Sequence, residues 1–297
     1  MVNSNIASNL LERLVIAVKR IATALKRMIG CSQPESTIIE QPARSIATQS
    51  LLDLHNPVNS IHRYILSNGI TVQSFRTEHV EDTQVNQMTW YMGERFKSIE
   101  PFLATIKRHI SGEKFRFSMV NFHQRQISDV CQFAIMAHTL GFLTRYQYYS
   151  KQRIIVGCVA ATPKVQNFFN GLWFERYIVQ KINKIINSYE QHVQQRLNIV
   201  MLENVIIILN NGNQREIDLL ISVNDEIYYI EAKTGDIDGS FYQKYRKIAG
   251  FLDIPNKRMI VVRARTTMHE TCNHGVLVCS IGAFEQRMRS VFDRHAR

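Results

Sequence analysis

Nowhere in the 297 residues do two cysteines stand as a CxxC pair, and the five present, Cys31, Cys131, Cys158, Cys272 and Cys279, are odd in number. That argues against a disulfide framework and for free thiols in a reducing cytoplasm. No uninterrupted apolar run reaches about 18 residues, so the sequence lacks the signature of a membrane-spanning helix, which argues against a membrane partner. The first residues also lack the compact apolar block and small-residue cleavage site of a secretory signal. Missing too are a fixed-period repeat and a low-complexity tract. Up to Glu94 there is no phosphate-binding loop, Gly-x-Gly fingerprint or nucleophile motif.

What the chain has is an excess of positive charge, 36 Lys and Arg against 25 Asp and Glu, a formal +11. A surplus of this sign favours a polyanion, either nucleic acid or an acidic membrane surface, and does not choose between them. With 45% hydrophobic and 21% charged residues the chain is expected to be soluble and long enough for two domains with a sizeable core.

Ile6, Leu10, Leu14, Val18, Ile21, Leu25 and Met28 recur at a helical period over Ile6 to Ile29, with Lys19, Arg20, Lys26 and Arg27 on the other side. Such a basic amphipathic helix either lies on an anionic surface or packs into a core or dimer. Residues from about Gln33 to Asn59 mix Pro34, Pro42 and Pro57 with Ser, Thr and Gln, a linker, so residues 1–59 form a helix-and-linker segment.

Residues 60–162 read as a second module. A short helix and a strand at Ile70 to Val72 come first. Three helices follow, one from Ser98 with Phe102, Ile106 and Ile110 on one face, one from near Ser118, and one from about Gln126 to Thr139. Two alternating runs, Phe142 to Tyr149 and Arg153 to Cys158, close the unit. Three helices and a β-ribbon read as a winged helix, in which Arg145, Lys151 and Arg153 on the ribbon are placed to reach phosphates. The other reading of the same module is a connector or dimerisation element.

From Thr162-Pro163 to the C-terminus, residues 163–297, the pattern is a long helix to about Asn187, strands over Asn198 to Leu209 and around Ile217 and Ile227, and a helix over Ser240 to Leu252. Strands at Met259 to Val262 and Val276 to Cys279 and a closing helix follow. The hairpin from Glu216 to Gly235 carries the chemistry. Asp218 sits among apolar neighbours on its first strand. Glu231 and Lys233 share one face of the second, because strand side chains repeat every second residue. An unpaired buried carboxylate costs several kcal/mol, roughly, so these charges call for a cation, a hydrogen-bond network or water. Mg²⁺ or Mn²⁺ meets that need through the two carboxylates, a main-chain carbonyl such as that of Ala232, and water, with Lys233 beside them to orient or deprotonate the water. A second set of metal-ligand types, His269, Cys272, His274 and Cys279, lacks the paired spacing of zinc sites.

An Asp followed about a dozen residues later by Glu-x-Lys on the adjacent strand, here Asp218 and Glu231-Ala232-Lys233, resembles the PD-(D/E)XK nuclease superfamily, with Ile217-Asp218 in place of Pro-Asp. With Trp173-Phe174-Glu175-x-Tyr177 the span from about Asn170 to Arg263 looks most like the nuclease domain of the CRISPR-associated ancillary endonucleases, in which a winged helix precedes the nuclease. The resemblance implies an α/β, restriction-endonuclease-like domain with an α-β-β-β-α-β core and mixed sheet. It also implies a defence-related endonuclease that works as a homodimer on nucleic acid, DNA ahead of RNA. By the same likeness Glu175, Asp218 and Glu231 hold Mg²⁺ or Mn²⁺, Lys233 positions the attacking water, Gln243 contacts the water or the lysine, and Lys244 and Arg246 hold the backbone. The α/β pattern before Ser98 is too sparse for the sensor domain of those proteins, so activation by a cyclic nucleotide is not implied. A non-catalytic nucleic-acid-binding protein that keeps the fold is the alternative.

Overall fold

The computed structural model describes residues 60–76, 83–194, 196–265 and 270–295, all within one compact unit. The helix expected over Ile6 to Ile29, the linker to Asn59, Cys31 and His269 lie outside the described residues. None of the described helices is long and apolar enough to cross a membrane. Cys131, Cys158, Cys272 and Cys279 are free thiols.

Hydrophobic runs of β-branched residues produce the central sheet. Its seven strands, in spatial order, are β1 (Thr71–Arg76), β5 (Ile199–Ile208), β6 (Gln214–Val223), β7 (Glu226–Lys233), β8 (Met259–Arg263), β10 (Val276–Ser280) and β9 (Glu270–Asn273). β7, β8 and β10 run parallel, and every other neighbouring pair is antiparallel, so the molecule is α/β with a mixed sheet. The β6–β7 hairpin closes through Asn224 and Asp225 at φ 46° and 68°, the left-handed pair of a tight two-residue turn.

Helices cover both faces. One face buries Leu219, Ile221, Ile230, Ile260 and Val262 under α6 (Trp173–Val193) and α8 (Ile281–His295). The other buries Leu220, Tyr229, Val261 and Val278 under α1 (Ser60–Ser67) and α7 (Gly239–Phe251). Residues 60–76, grouped by sequence with the preceding module, therefore belong to this sheet. The long helix expected from Pro163 is interrupted: α5 (Pro163–Asn167) passes into a π-helical turn, Phe168–Leu172, before α6 begins.

The module between consists of α2 (Thr83–Glu94), α3 (Phe96–Arg108), β2 (Lys114–Ser118), α4 (Gln124–Thr139), β3 (Leu143–Tyr149) and β4 (Ile154–Val159), with the strands in an antiparallel sheet of order β2-β4-β3. The helix expected to start near Ser118 is not there. Lys114–Ser118 alternates exposed and buried residues and pairs with β4, so a strand outweighs a helix. The third helix comes from Thr83–Glu94, whose Gly93 lies against the Tyr177 ring of α6. Phe102, Phe133 and Phe169 continue into the α6 and α8 layer as one hydrophobic core.

Candidate metal centre

The site forms where the β6–β7 ladder stops. Backbone pairing runs from Val223↔Glu226 to Leu219↔Ile230 and ends there. One step further the register would set Asp218 opposite Glu231. Instead the Asp218 carboxylate accepts the Ala232 N–H at 2.9 Å, so a side chain takes the ladder position that a carbonyl would occupy. Across on β5, Asn204 has φ +46° and falls between the pairs Glu203↔Leu219 and Val205↔Ile217. The inside-outside alternation inverts on both strands at this point. Ile217 and Val205 face α1 and α7, whereas strict alternation with Leu219 and Met201 would turn them to the other layer. Asp218 therefore stands at a paired kink.

Lys233 Nζ lies 2.6 Å from Glu231 Oε1 and 4.0 Å from Asp218 Oδ2. The acids are largely withdrawn from water, with side chains 13% and 11% exposed. Tyr229 donates its hydroxyl to Glu231 Oε2 at 3.2 Å, and Tyr245 of α7 donates to the carbonyls of Tyr229 and Ile260 at 2.8 and 3.2 Å. The Lys233 ammonium stands 5.6 Å from the centre of the Phe241 ring, a cation–π contact.

Burial, then the Glu231 charge, drives the Asp218 carboxyl well above its ordinary range, and Glu175 adds to this; Lys233 and the Ala232 N–H pull the other way. For Lys233 burial favours the neutral amine, but Glu231, Asp218 and Glu175 together outweigh it and hold the ammonium above its usual value. Burial and then Glu231 push the Tyr229 hydroxyl far up, so it remains a neutral donor. Three carboxyl groups, Asp218, Glu231 and Glu175, thus act on a single ammonium.

Glu175 lies in the first turn of α6, right after the π-helical turn, and acts electrostatically on both Asp218 and Lys233. Π-helical turns often mark functional positions. A Cβ on Gly171 would stand 3.7 Å from Glu175 Oε1, so the turn passes close to this carboxylate.

A donor set of carboxylate oxygens, crowded enough to raise the Asp218 carboxyl, fits a hard divalent cation that would relieve the crowding. Among the described residues no three His, Cys, Asp or Glu side chains gather closely enough to hold a metal by themselves. Mg²⁺ tolerates that, since it is commonly held by one or two carboxylates and keeps several waters. Ala232, whose carbonyl was expected among the ligands, gives its N–H to Asp218 and pairs with Val262 on β8.

The other expected residues lie elsewhere. Gln243, Lys244 and Arg246 are on the exposed side of α7, and none contacts Asp218, Glu231 or Lys233. The member of that helix that does reach the site is Phe241. Arg145 is exposed on β3, and Lys151 and Arg153 are exposed in the turn between β3 and β4, where Arg153 reaches the Val120 carbonyl. Asp129 turns inward, beside Tyr91 and Arg95. Sequence reading missed Tyr229, Tyr245 and Phe241. Their signal was present in Tyr229-x-Glu231-x-Lys233, one strand face, and in Phe241 and Tyr245, one helix face.

No family model and no curated protein matches the sequence. The fold is similar to the crystal structure of protein VC1899 from Vibrio cholerae, with a TM-score of 0.53 and 16% identity. The match covers 78% of this chain and 61% of that one, so the chain spans about three-fifths of the length of its structural neighbour. Likeness at that identity concerns the fold alone.

Proposed function

We propose that this chain is a metal-dependent nuclease of the PD-(D/E)XK type, hydrolysing phosphodiester bonds of DNA or RNA with Mg²⁺ or Mn²⁺ at Asp218 and Glu231. One observation carries the reading: two withdrawn carboxyl groups and one ammonium meet where the β6–β7 ladder opens, crowded enough that the Asp218 carboxyl is held well above its ordinary range. The order α6-β5-β6-β7-α7-β8 agrees with that nuclease core, and the formal charge of +11 suits a polyanionic substrate.

A divalent ion there would supply charge stabilisation to the phosphoryl oxygens and lower the pKa of a water. Asp218 and Glu231 would hold it, with Glu175 on the acidic side. Lys233 is kept protonated by its acidic neighbours. It therefore does not take a proton; it donates to the attacking water or to a phosphate oxygen and balances charge as the phosphorus is attacked. Tyr229 fixes the rotamer of Glu231 through its 3.2 Å hydrogen bond, and Tyr245 fixes the strand beneath.

Labelled single- and double-stranded DNA and RNA, incubated with Mg²⁺ or Mn²⁺, test this. The wild type cuts at least one of them, and Asp218→Ala lowers the rate about 100-fold or more. Cleavage indifferent to that change overturns the proposal. Salt-sensitive binding with no cleavage under any metal favours instead a non-catalytic nucleic-acid-binding protein on the same fold.

A further inference from the structure

Helix α3 lies along the carboxyl-terminal ends of the parallel strands, and its contacts there are unevenly charged. Lys107, in its last turn, donates to the Thr234 hydroxyl at 3.4 Å, one residue beyond Lys233. Two turns earlier on the same helix face Glu100 pairs with Arg265 at 2.5 Å, just beyond β8. The stubs of the two strands are tied together by the Ala264 N–H donating to the Lys233 carbonyl at 3.0 Å. At the start of α3 a cavity of about 650 Å³ is lined by Arg95, Lys97 and Arg125 together with the carboxylates Glu94 and Asp129, the latter 3.8 Å from Arg95. Lys107 and Arg265 therefore stand beside the strand ends next to Lys233; Arg265 is paired with Glu100 and Lys233 with Glu231, and Lys107 meets a hydroxyl.

Among the described residues no carboxylate lies within ion-pair distance of Lys107; its polar contact is a neutral hydroxyl. Burial, and then the facing Arg265 guanidinium, hold its ammonium below the ordinary value. A half-buried cation facing a second cation is stabilised by an arriving anion. Ligands of sheets with parallel strands collect at those carboxyl ends.

We propose that this strip is a track for the phosphate backbone of a nucleic-acid strand, in which Lys107 and Arg265 hold the phosphate next to the one cut beside Lys233. The proposal rests on the nuclease reading for its substrate class and adds where the strand lies. Lys107 is a positioning residue: it holds a neighbouring phosphate and does not touch the reacting atoms. The strip belongs partly to α3, so the helical module contributes directly to substrate binding.

The experiment is fluorescence anisotropy of a labelled oligonucleotide over a salt series, in full-length Asp218→Ala protein so that nothing is cut. Lys107→Gln is expected to bind about tenfold more weakly and to flatten the slope of log K against log salt by about one, as loss of one phosphate contact does. Arg265→Gln, at an exposed position outside the core, behaves likewise. Lys107→Arg restores both quantities, which a packing role would not predict. Arg63→Gln, at an exposed position of α1 across the sheet, controls for bulk charge. Affinity and slope unchanged in both Lys107→Gln and Arg265→Gln overturn the track, as does a parent that binds no oligonucleotide. If the wild type cuts while these variants bind normally, the track fails and the nuclease reading stands. If it never cuts but binding depends on Lys107 as described, the nuclease reading fails and the track stands.

Discussion

Asp218 meets two opposing demands. It terminates a β-ladder by accepting the Ala232 N–H, which favours its charged form, while burial and Glu231 favour the neutral one. The second influence wins, so in the metal-free protein this carboxyl titrates above its unfolded value of about 3.9. The sign follows from linkage: its contribution to stability is complete below the unfolded value and declines as pH rises through the raised folded one. Asp218→Asn keeps an acceptor for Ala232 without the charge. The metal-free variant is therefore expected to melt a few degrees above wild type at neutral pH, the gap closing toward pH 4. Thermal melts in chelator across that range check this, and a variant less stable at pH 7 contradicts it. The Asp218, Glu231 and Lys233 group was legible because period-two spacing and an apolar setting fix which face each side chain takes. Lys107 was not, since nothing local in α3 signals that its last turn meets a strand end 127 residues away.

Elements form where period and burial agree, and sequence reading failed where one of them was weak. α2, TQVNQMTWYMGE, carries many polar residues and no acidic residue in its first turn, so its helical period is faint; tertiary contact supplies the rest. Tyr177 donates to Glu94 at 2.8 Å, Arg176 donates to Asn86 at 2.6 Å, and Gly93 admits the Tyr177 ring. A Cβ at Gly93 would meet that ring at 2.1 Å. Gly93→Ala is expected to destabilise by about 1–3 kcal/mol through overpacking, despite alanine's better helix propensity. Urea denaturation measures this; a neutral or stabilising result shows that α2 and α6 separate at no cost. β2 was missed because the alternation of KFRFS is too short to stand out, and where a helix was expected near Ser118 the next helix begins only at Gln124. β5 and β8 were read close to their observed bounds because each is rich in β-branched and other apolar residues, and β6 and β7 were placed by their alternation around Ile217 and Ile227.

At the scale of the molecule, the hydrophobic core that begins in α2, α3 and α4 continues without a break into the layer of α6 and α8. Two modules that share a core unfold together. Calorimetry is expected to give one transition for residues 60–297, with calorimetric and van't Hoff enthalpies in agreement. Two separated transitions would mean that the helical module is independent of the sheet. Sequence gave no sign of this sharing, because the positions that join the modules, such as Phe102 and Phe169, look like ordinary core residues of separate domains. A rigid junction also keeps α3 against the strand ends, where Lys107 and Arg265 lie.

The measurement closest to the centre of this account is calorimetric titration of Mn²⁺ into chelator-treated protein, wild type beside Asp218→Asn and Glu231→Gln. The account predicts saturable binding to the wild type that weakens about tenfold or more in each variant and strengthens with rising pH as Asp218 gives up its proton. Binding that is undetectable in the wild type, or equal in all three proteins, would contradict it.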